Sequence, residues 1–299
     1  MSKESSFQMF GVNIVTHPHN PDGYVRLMKA AFDMRRSVKV HGSQHLMIGA
    51  LRPLHSDRPI SGLHGKFYRF VHIDKDAPWY NVSRHDDATD EERSQINIPD
   101  GLRPNTENFE FIFYPKGHTL YFSRRSTGKL NGHWSNLGPR QVATLLNTLF
   151  KNPVILDEFG EVEVTVLPDR SQLDRIFAIP TLQRLVIDVT KPNADALSKA
   201  QAKVFNRMDR TNTGRLKEEL TARRGASIEL DDDYKELATI AASNGKVEGQ
   251  GYDGAGRPVK LSTVDVHWTA RVAYNPEESE TELDALTLAT RSLPGHVGP

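Results

Sequence analysis

Short runs of aromatic and β-branched residues, each bounded by Pro, Gly, Asn or Asp, dominate the N-terminal part of the chain. These runs occupy residues 7–16, 45–51, 66–73, 108–114 and 117–125. Partial alternation of apolar and polar residues over such lengths is typical of β-strands with one buried face. The turn sequence YPKG between the last two runs predicts a β-hairpin over 108–125. We therefore expect the N-terminal half to be built on antiparallel sheet.

Apolar residues at helical spacing appear between and after these runs. Helices are predicted over 22–36, 137–150, 169–179, 193–210 and 231–245. Further strands are predicted over 161–167, 182–190 and 227–230, a Gly-rich hairpin over 246–262, and a last strand or the start of a helix over 266–274. This order predicts an α+β fold with mostly antiparallel sheets, a β-rich N-terminal half and a C-terminal half that contains helices and a hairpin.

Three regions are predicted along the chain. Residues 1–167 form a β-rich α+β domain, residues 168–275 an α+β domain with a basic helix and the Gly-rich hairpin, and residues 276–299 an acidic, flexible tail. Residues 74–100 are acidic and poor in aliphatic side chains, so an exposed loop or lid is expected there.

Charge and cysteine content limit the classes of protein that the chain can belong to. The 38 basic residues balance 38 acidic ones, so any nucleic-acid site must be a local patch. There is no cysteine, which removes disulfides, thiolate metal sites and cysteine nucleophiles and fits a reducing compartment. The first residues are not expected to act as a secretory signal, and the sequence has no apolar run of about 18 residues. We expect a cytoplasmic protein that does not itself span a membrane.

The segment Phe205–Leu220 resembles a calcium loop entered from a helix. An EF-hand loop that starts at Asp209 would place Gly214 correctly at its sixth position. Its third and fifth positions, however, are threonines, and Leu220 stands where a bidentate Glu is required. The segment is therefore interpreted as a helix end followed by a Gly-containing turn.

The helix before this turn carries a row of basic residues. Lys199, Lys203, Arg207 and Arg210 cover an arc of roughly 80° on a helix, and Leu197, Val204 and Met208 fall on the opposite side. Between Lys199 and Arg224 there are eight basic residues, including Arg223 and Arg224, against three acidic ones. Such spacing allows several phosphate contacts at once. A solvated face that meets acidic protein surface is the alternative interpretation.

A second basic zone lies over 122–134. Arg124 and Arg125 end a predicted strand, Lys129 lies in a loop, and His133 and Trp134 follow. Loop cations beside an aromatic ring are able to hold phosphate and stack a base. A lone Trp before a helix is more commonly a core residue.

The sequence contains no pattern that specifies an enzyme, a cofactor or a metal site. It lacks a His-Glu-x-x-His pair, a P-loop and a Gly-x-Ser-x-Gly elbow, and its Gly-rich segment precedes a strand where a dinucleotide site requires a helix. Carboxylates and a histidine for a metal-dependent nuclease are present at Asp157, Glu161, Glu163, His85 and Asp86. No Lys follows the first three at nuclease spacing. We therefore predict no catalytic residues, no cofactor and no metal.

Three segments together resemble a known family. They are VTKPNADAL (189–197), ASNGKVEGQGYDGAGRPVKLST (242–263) and EFGEVEVTVLPDRSQLDRIFAIPTLQRLVIDV (158–189). Their order resembles a family of bacterial mobile elements and prophages that is catalogued as a domain of unknown function. More distantly, the order over 155–275 resembles the phage-exclusion protein RexA and the Kiwa defence protein KwaB. That resemblance implies nonspecific binding to duplex DNA, a homodimer, a role in phage defence and a separate membrane-protein partner.

The leading hypothesis is a nonspecific DNA-binding protein that acts as a sensor or effector in anti-phage defence or phage exclusion. Its predicted contact residues are Lys199, Lys203, Arg207, Arg210, Arg223, Arg224, Arg124, Arg125 and Lys129. The alternatives are a protein-interaction subunit of a defence complex that makes no nucleic-acid contact, and a metal-dependent nuclease.

Overall fold

The structure is a computed structural model that describes residues 5–16, 20–74, 76–99, 101–130, 132–169, 171–190, 199–243, 245–275, 281–291 and 293. Helix accounts for 30% and strand for 40% of the chain, and the strands pair in antiparallel sheets. The predicted α+β class with mostly antiparallel sheets is therefore confirmed.

Strands and helices are numbered in chain order over the described residues. The strands are β1 (Ser5–Thr16), β2 (Val38–His41), β3 (Gln44–Pro53), β4 (Leu63–Val71), β5 (Tyr80–Asn81), β6 (Asp86–Asp87), β7 (Glu107–Tyr114), β8 (Thr119–Ser123), β9 (Arg125–Leu130), β10 (His133–Asn136), β11 (Val162–Val166), β12 (Thr181–Thr190), β13 (Arg215–Thr221), β14 (Gly245–Tyr252), β15 (Pro258–Ser262) and β16 (Thr269–Tyr274). The helices are α1 (Pro21–Asp33), α2 (Asp90–Ser94), α3 (Pro139–Phe150), α4 (Pro153–Phe159), α5 (Ser171–Phe177), α6 (Lys199–Arg210), α7 (Asp232–Ser243) and α8 (Glu282–Thr290). None of these helices has both the length and the hydropathy of a membrane-spanning segment.

The larger sheet has the strand order β11-β1-β8-β7-β4-β3-β2, and β16 also pairs with β1. Strand β1 is long enough to pair along one edge with two strands, β16 through residues 5–10 and β11 through residues 12–16. The last strand of the chain thereby returns to the first one. The small hairpins β5–β6 and β9–β10 lie outside this sheet.

Helices cover both faces of the larger sheet. On one face α1, α3 and α4 pack on an aromatic layer that includes Phe67, Phe109 and Phe111. On the other face Ala285 and Leu286 of α8 pack against Ile112 and Tyr121. Residues 282–290, which the sequence places in a flexible tail, therefore form a helix that contributes to the core. A capping box between Thr281 and Asp284 stabilises its first turn.

The smaller sheet has the strand order β13-β12-β14-β15 and is covered on one face by helices. Its core joins Leu185 and Ile187 of β12 to Phe205 and Met208 of α6 and to residues of α5 and α7. Strand β14 begins at Gly245, where an added Cβ would lie 2.0 Å from the carbonyl oxygen of Asp188. Only glycine permits this close approach of the two strands.

Several local predictions differ from the structure. Residues 227–230 form no strand, because Ser227 and Ile228 hydrogen-bond only to Leu182 at the start of β12 instead of building a ladder. Strand β13 and helix α4 were not predicted from the sequence. In β13 three consecutive charged residues, Lys217–Glu219, obscure an alternation that places Leu216 and Leu220 toward the core.

Buried charge inside the larger sheet is paired across neighbouring strands. Glu110 on β7 accepts hydrogen bonds from His64 Nε2 at 2.7 Å and Lys66 Nζ at 2.9 Å, both on β4. Burial alone would raise the pKa of Glu110, but these two bonds outweigh burial and hold the pKa below its usual value. The group is a structural element of the sheet and does not border helix α6.

Candidate nucleic-acid interface

Helix α6 is amphipathic in the way that its spacing predicts. Phe205 and Met208 are buried, with 3% and 2% of their surface exposed. Lys203, Arg207 and Arg210 are exposed. We call these three side chains the α6 basic face. The backbone of Lys199 opens the helix, but its side chain, like residue Leu197, lies outside the described part of the chain.

No carboxylate among the described residues forms an ion pair with the α6 basic face. By contrast, cations on the face of the smaller sheet that no described helix covers do form ion pairs. Arg184 donates to Glu219 at 2.7 Å, and Arg215 Nε donates to Asp188 at 2.6 Å. The Arg215 guanidinium holds the pKa of Asp188 below its usual value. Ion pairs thus neutralise most cations on this face of the smaller sheet, whereas the cations of α6 are available to bind an anion.

A tight turn connects α6 to the edge strand β13. The N–H of Thr213 donates to the carbonyl of Met208 at 2.9 Å, and Asn212 adopts a left-handed conformation with φ of 48°. The chain then reverses into β13, so the segment that resembles a calcium loop is a helix end and a turn, as predicted. Arg223 and Arg224 lie beyond the other end of β13, in an exposed turn where Ala226 N–H donates to the Arg223 carbonyl at 3.0 Å.

A groove of about 360 Å³ runs between α6, β13 and the start of α7. Lys203 and Arg207 line one wall, and Val204, Leu216 and Leu237 contribute apolar surface. The acidic residues that line it are Glu218, Asp231, Asp233 and Glu236. We call Asp231, Asp233 and Glu236 the acidic wall. Because it repels anions, a polyanion must approach the α6 basic face from the side away from α7.

The second predicted basic zone belongs to the larger sheet. Arg125 has only 14% of its side chain exposed, is ion-paired with Glu282 and donates to Tyr274 Oη at 2.8 Å. This placement favours a structural role, and Arg125 is left out of the proposed interface. Arg124 is half-buried, bonds to Gln8 and lies over the Phe10 ring. Lys129 is exposed, but it lies on strand β9, which begins at Arg125, and not in the predicted loop. A nucleic-acid contact of Arg124 or Lys129 stays a prediction.

The residues suggested for a nuclease do not form a metal site. Asp157 lies on α4, Glu163 on β11, and His85 and Asp86 in the β5–β6 hairpin region. Within the described parts of the chain, no group of three or more His, Asp or Glu residues is placed to hold a metal ion. The metal-dependent nuclease stays an alternative prediction.

Sequence reasoning missed the features that frame the α6 basic face. The acidic wall lies at the start of α7, for which the sequence predicted a helix but no part in a binding site. The only local signal for β13 is the spacing of Leu216 and Leu220, which the charged residues between them obscure. The groove itself depends on the packing of α6 beside α7, for which no sequence pattern was available.

Comparison with known proteins identifies a family. Residues 5–291 match a family described as a domain of unknown function (DUF4747). The match covers nearly the whole chain, so the chain belongs to this family. No curated protein matches the sequence.

Proposed function

We propose that this member of the DUF4747 family binds duplex DNA without sequence preference through the α6 basic face. The observation that carries the proposal is the exposure of Lys203, Arg207 and Arg210 on one side of a helix, with no carboxylate partner among the described residues. These residues span about 10 Å of helix axis, and each strand of a duplex carries one phosphate per about 3.4 Å of its own axis. The spacing of the three side chains therefore allows three simultaneous phosphate contacts.

Contacts of this kind position a protein on the duplex but do not read bases. Lys and Arg side chains neutralise phosphates and release condensed counterions, which makes affinity strongly dependent on salt and weakly dependent on sequence. Arg223 and Arg224, at the far end of β13, extend the candidate surface. Because the chain is neutral as a whole, we expect moderate affinity.

The finer proposal is that DNA binding serves anti-phage defence or phage exclusion in the cytoplasm, as a homodimer with a separate membrane-protein partner. It is supported by the resemblance to RexA and KwaB over 155–275, where β12, α6 and the β14–β15 hairpin follow in that order. Its test is phage plating on bacteria that express the chain. Plating efficiency should fall with the native chain and recover when Lys203, Arg207 and Arg210 are changed to Glu. Equal plating with and without the native chain would contradict the defence role.

The direct test of DNA binding is fluorescence anisotropy with several labelled duplexes of unrelated sequence at low salt. We expect affinities that agree within about threefold among sequences and fall steeply as salt is added. Absence of binding at low salt, or a preference for one duplex beyond about a hundredfold, would refute nonspecific recognition.

Neutralising the acidic wall should strengthen binding. In the variant Asp233→Asn/Glu236→Gln, two charges that repel phosphate are removed, and Asp231 is kept because it accepts from the Tyr234 N–H at 2.8 Å at the start of α7. We expect affinity for a random duplex to rise about three- to tenfold at low salt. Unchanged or weaker affinity in the anisotropy assay would contradict the repulsion of DNA by the acidic wall.

The groove itself favours a second candidate function, a protein-interaction subunit. Its apolar floor between a basic and an acidic wall suits a peptide or helix that carries both charges. On this alternative the chain does not bind DNA, and the Asp233→Asn/Glu236→Gln variant loses a protein partner. The anisotropy experiment with the native chain separates the two functions.

A further inference from the structure

Strand β13 is an edge strand whose charged side chains, which include Lys217 and Glu219, restrict the strands that can pair with it. It is seven residues long, and among the described residues its backbone pairs only with β12. At the opposite edge of the sheet β15 has five residues and begins with Pro258, which cannot donate a backbone hydrogen bond. An unpaired edge of this length is a template for another strand.

The hydrogen-bonding register of β13 shows which backbone groups face outward. Ala222 N–H donates to the Gln183 carbonyl at 2.8 Å, and the register continues as Leu220 opposite Leu185. In an antiparallel pair, residues that bond to the neighbouring strand alternate with residues that do not. The outward N–H and C=O groups therefore belong to Arg215, Lys217, Glu219 and Thr221.

The sequence of β13 is complementary to itself in the antiparallel direction. When two copies meet around an axis at Glu218, Lys217 of each copy lies opposite Glu219 of the other. Leu216 of each copy then lies opposite Leu220, so the helix-covered faces match as well. The pairs 217–219 and 215–221 are those with outward backbone groups, which is what a hydrogen-bonded antiparallel pair requires.

One like-charge contact arises in this register. The two Glu218 side chains meet at the axis, on the face covered by the helices. Lys203 and Arg207 line the same groove as Glu218 and lower this repulsion in part, because the groove also contains the acidic wall.

We propose that β13 pairs with β13 of a second copy of the chain and joins the two four-stranded sheets into one continuous sheet. The homodimer expected from the sequence resemblance has no surface assigned to it, and this edge supplies one. Since α6 covers the same face as Leu216 and Leu220, the pairing brings the two α6 helices to either side of the two-fold axis. The proposal does not depend on DNA binding. Its test measures the molecular mass of the protein in solution.

The test exchanges the charges of the central pair. In Lys217→Glu, Glu faces Glu219 of the second copy, and in Glu219→Lys, Lys faces Lys217. Each single variant should dimerise about ten- to a hundredfold more weakly than the native chain. An equimolar mixture of the two variants should form a one-to-one heterodimer, because both cross-strand pairs then have opposite charges.

Sedimentation equilibrium over a concentration series, with the two variants carrying different tags, measures both effects. Circular dichroism of each variant checks that the fold is kept, which matters for Glu219→Lys because Glu219 also binds Arg184. A native chain that stays monomeric, single variants that dimerise as well as the native chain, or a mixture without heterodimer would each overturn the proposal.

Discussion

Changing Lys203, Arg207 and Arg210 together to Glu is expected to weaken binding to random duplex DNA by at least about a hundredfold at moderate salt. Each phosphate contact contributes roughly a tenfold factor near 0.1 M salt through counterion release, and a reversed charge adds repulsion. The three side chains are exposed, while the core contacts of α6 come from Phe205 and Met208. The variant should therefore keep the packing of α6, with some loss of stability where the new Glu side chains meet the acidic wall. Circular dichroism and thermal unfolding check that it is folded.

The matched control reverses three cations that lie far from α6 in the sequence. Lys29, Arg36 and Lys39 lie on or next to α1 and β2 of the larger sheet, are exposed, and have no carboxylate partner among the described residues. Changing them to Glu alters the net charge by the same amount. If the control weakens binding as much as the α6 variant, the effect is due to net charge and the α6 basic face is not the site.

The second large effect concerns stability. Changing Glu282 to Ala is expected to lower the free energy of unfolding by about 3–5 kcal/mol. Glu282 and its partner Arg125 have only 7% and 14% of their side chains exposed. Removal of the carboxylate therefore leaves a buried guanidinium without its counter-charge. It also loosens α8, the helix that covers the second face of the larger sheet.

The control for Glu282→Ala is an exposed ion pair between α1 and α4, two helices that cover the larger sheet. Arg26 and Glu158 are 63% and 48% exposed, and Glu158→Ala should change the free energy of unfolding by less than about 1 kcal/mol. Urea unfolding of both variants measures the difference. Equal losses in the two variants would contradict a structural role for Arg125 and would reopen its assignment to the nucleic-acid surface.

Local sequence patterns predicted most of the regular elements. Alternating aromatic and β-branched residues identify β1, β4 and β7, and apolar residues at helical spacing identify α1 and α3. The hairpin of β14 and β15 follows from its glycines and the intervening turn. In these segments the residues that determine the element are neighbours in the chain, so the pattern is sufficient.

The misassigned segments depend on residues that are distant in the sequence. Glu282 and Arg125 are 157 positions apart, and the acidic residues around α8 suggested a solvated tail because its partners on the larger sheet are not recognisable locally. Segment 227–230 has strand-like composition but meets only the first residues of β12. The domain division at residue 167 stays a prediction, and residues 269–274 pair with β1 across that boundary.

The candidate site was predicted in part. Helical periodicity identifies the exposed row of Lys203, Arg207 and Arg210 because this row depends only on spacing along one helix. The ion pair of Arg125 and the acidic wall beside Arg207 depend on tertiary packing, which spacing does not encode. Charge counts over a segment therefore overestimate the number of cations that remain available.

The salt dependence of DNA binding tests the central claim most directly. Anisotropy titrations at several salt concentrations give the slope of log affinity against log salt for the native chain, the α6 variant and the control variant. If the three cations of the α6 basic face contact phosphates, the slope of the α6 variant is smaller than the native slope by about 2.7. The control variant keeps the native slope. An α6 variant with the native slope would contradict the proposed interface.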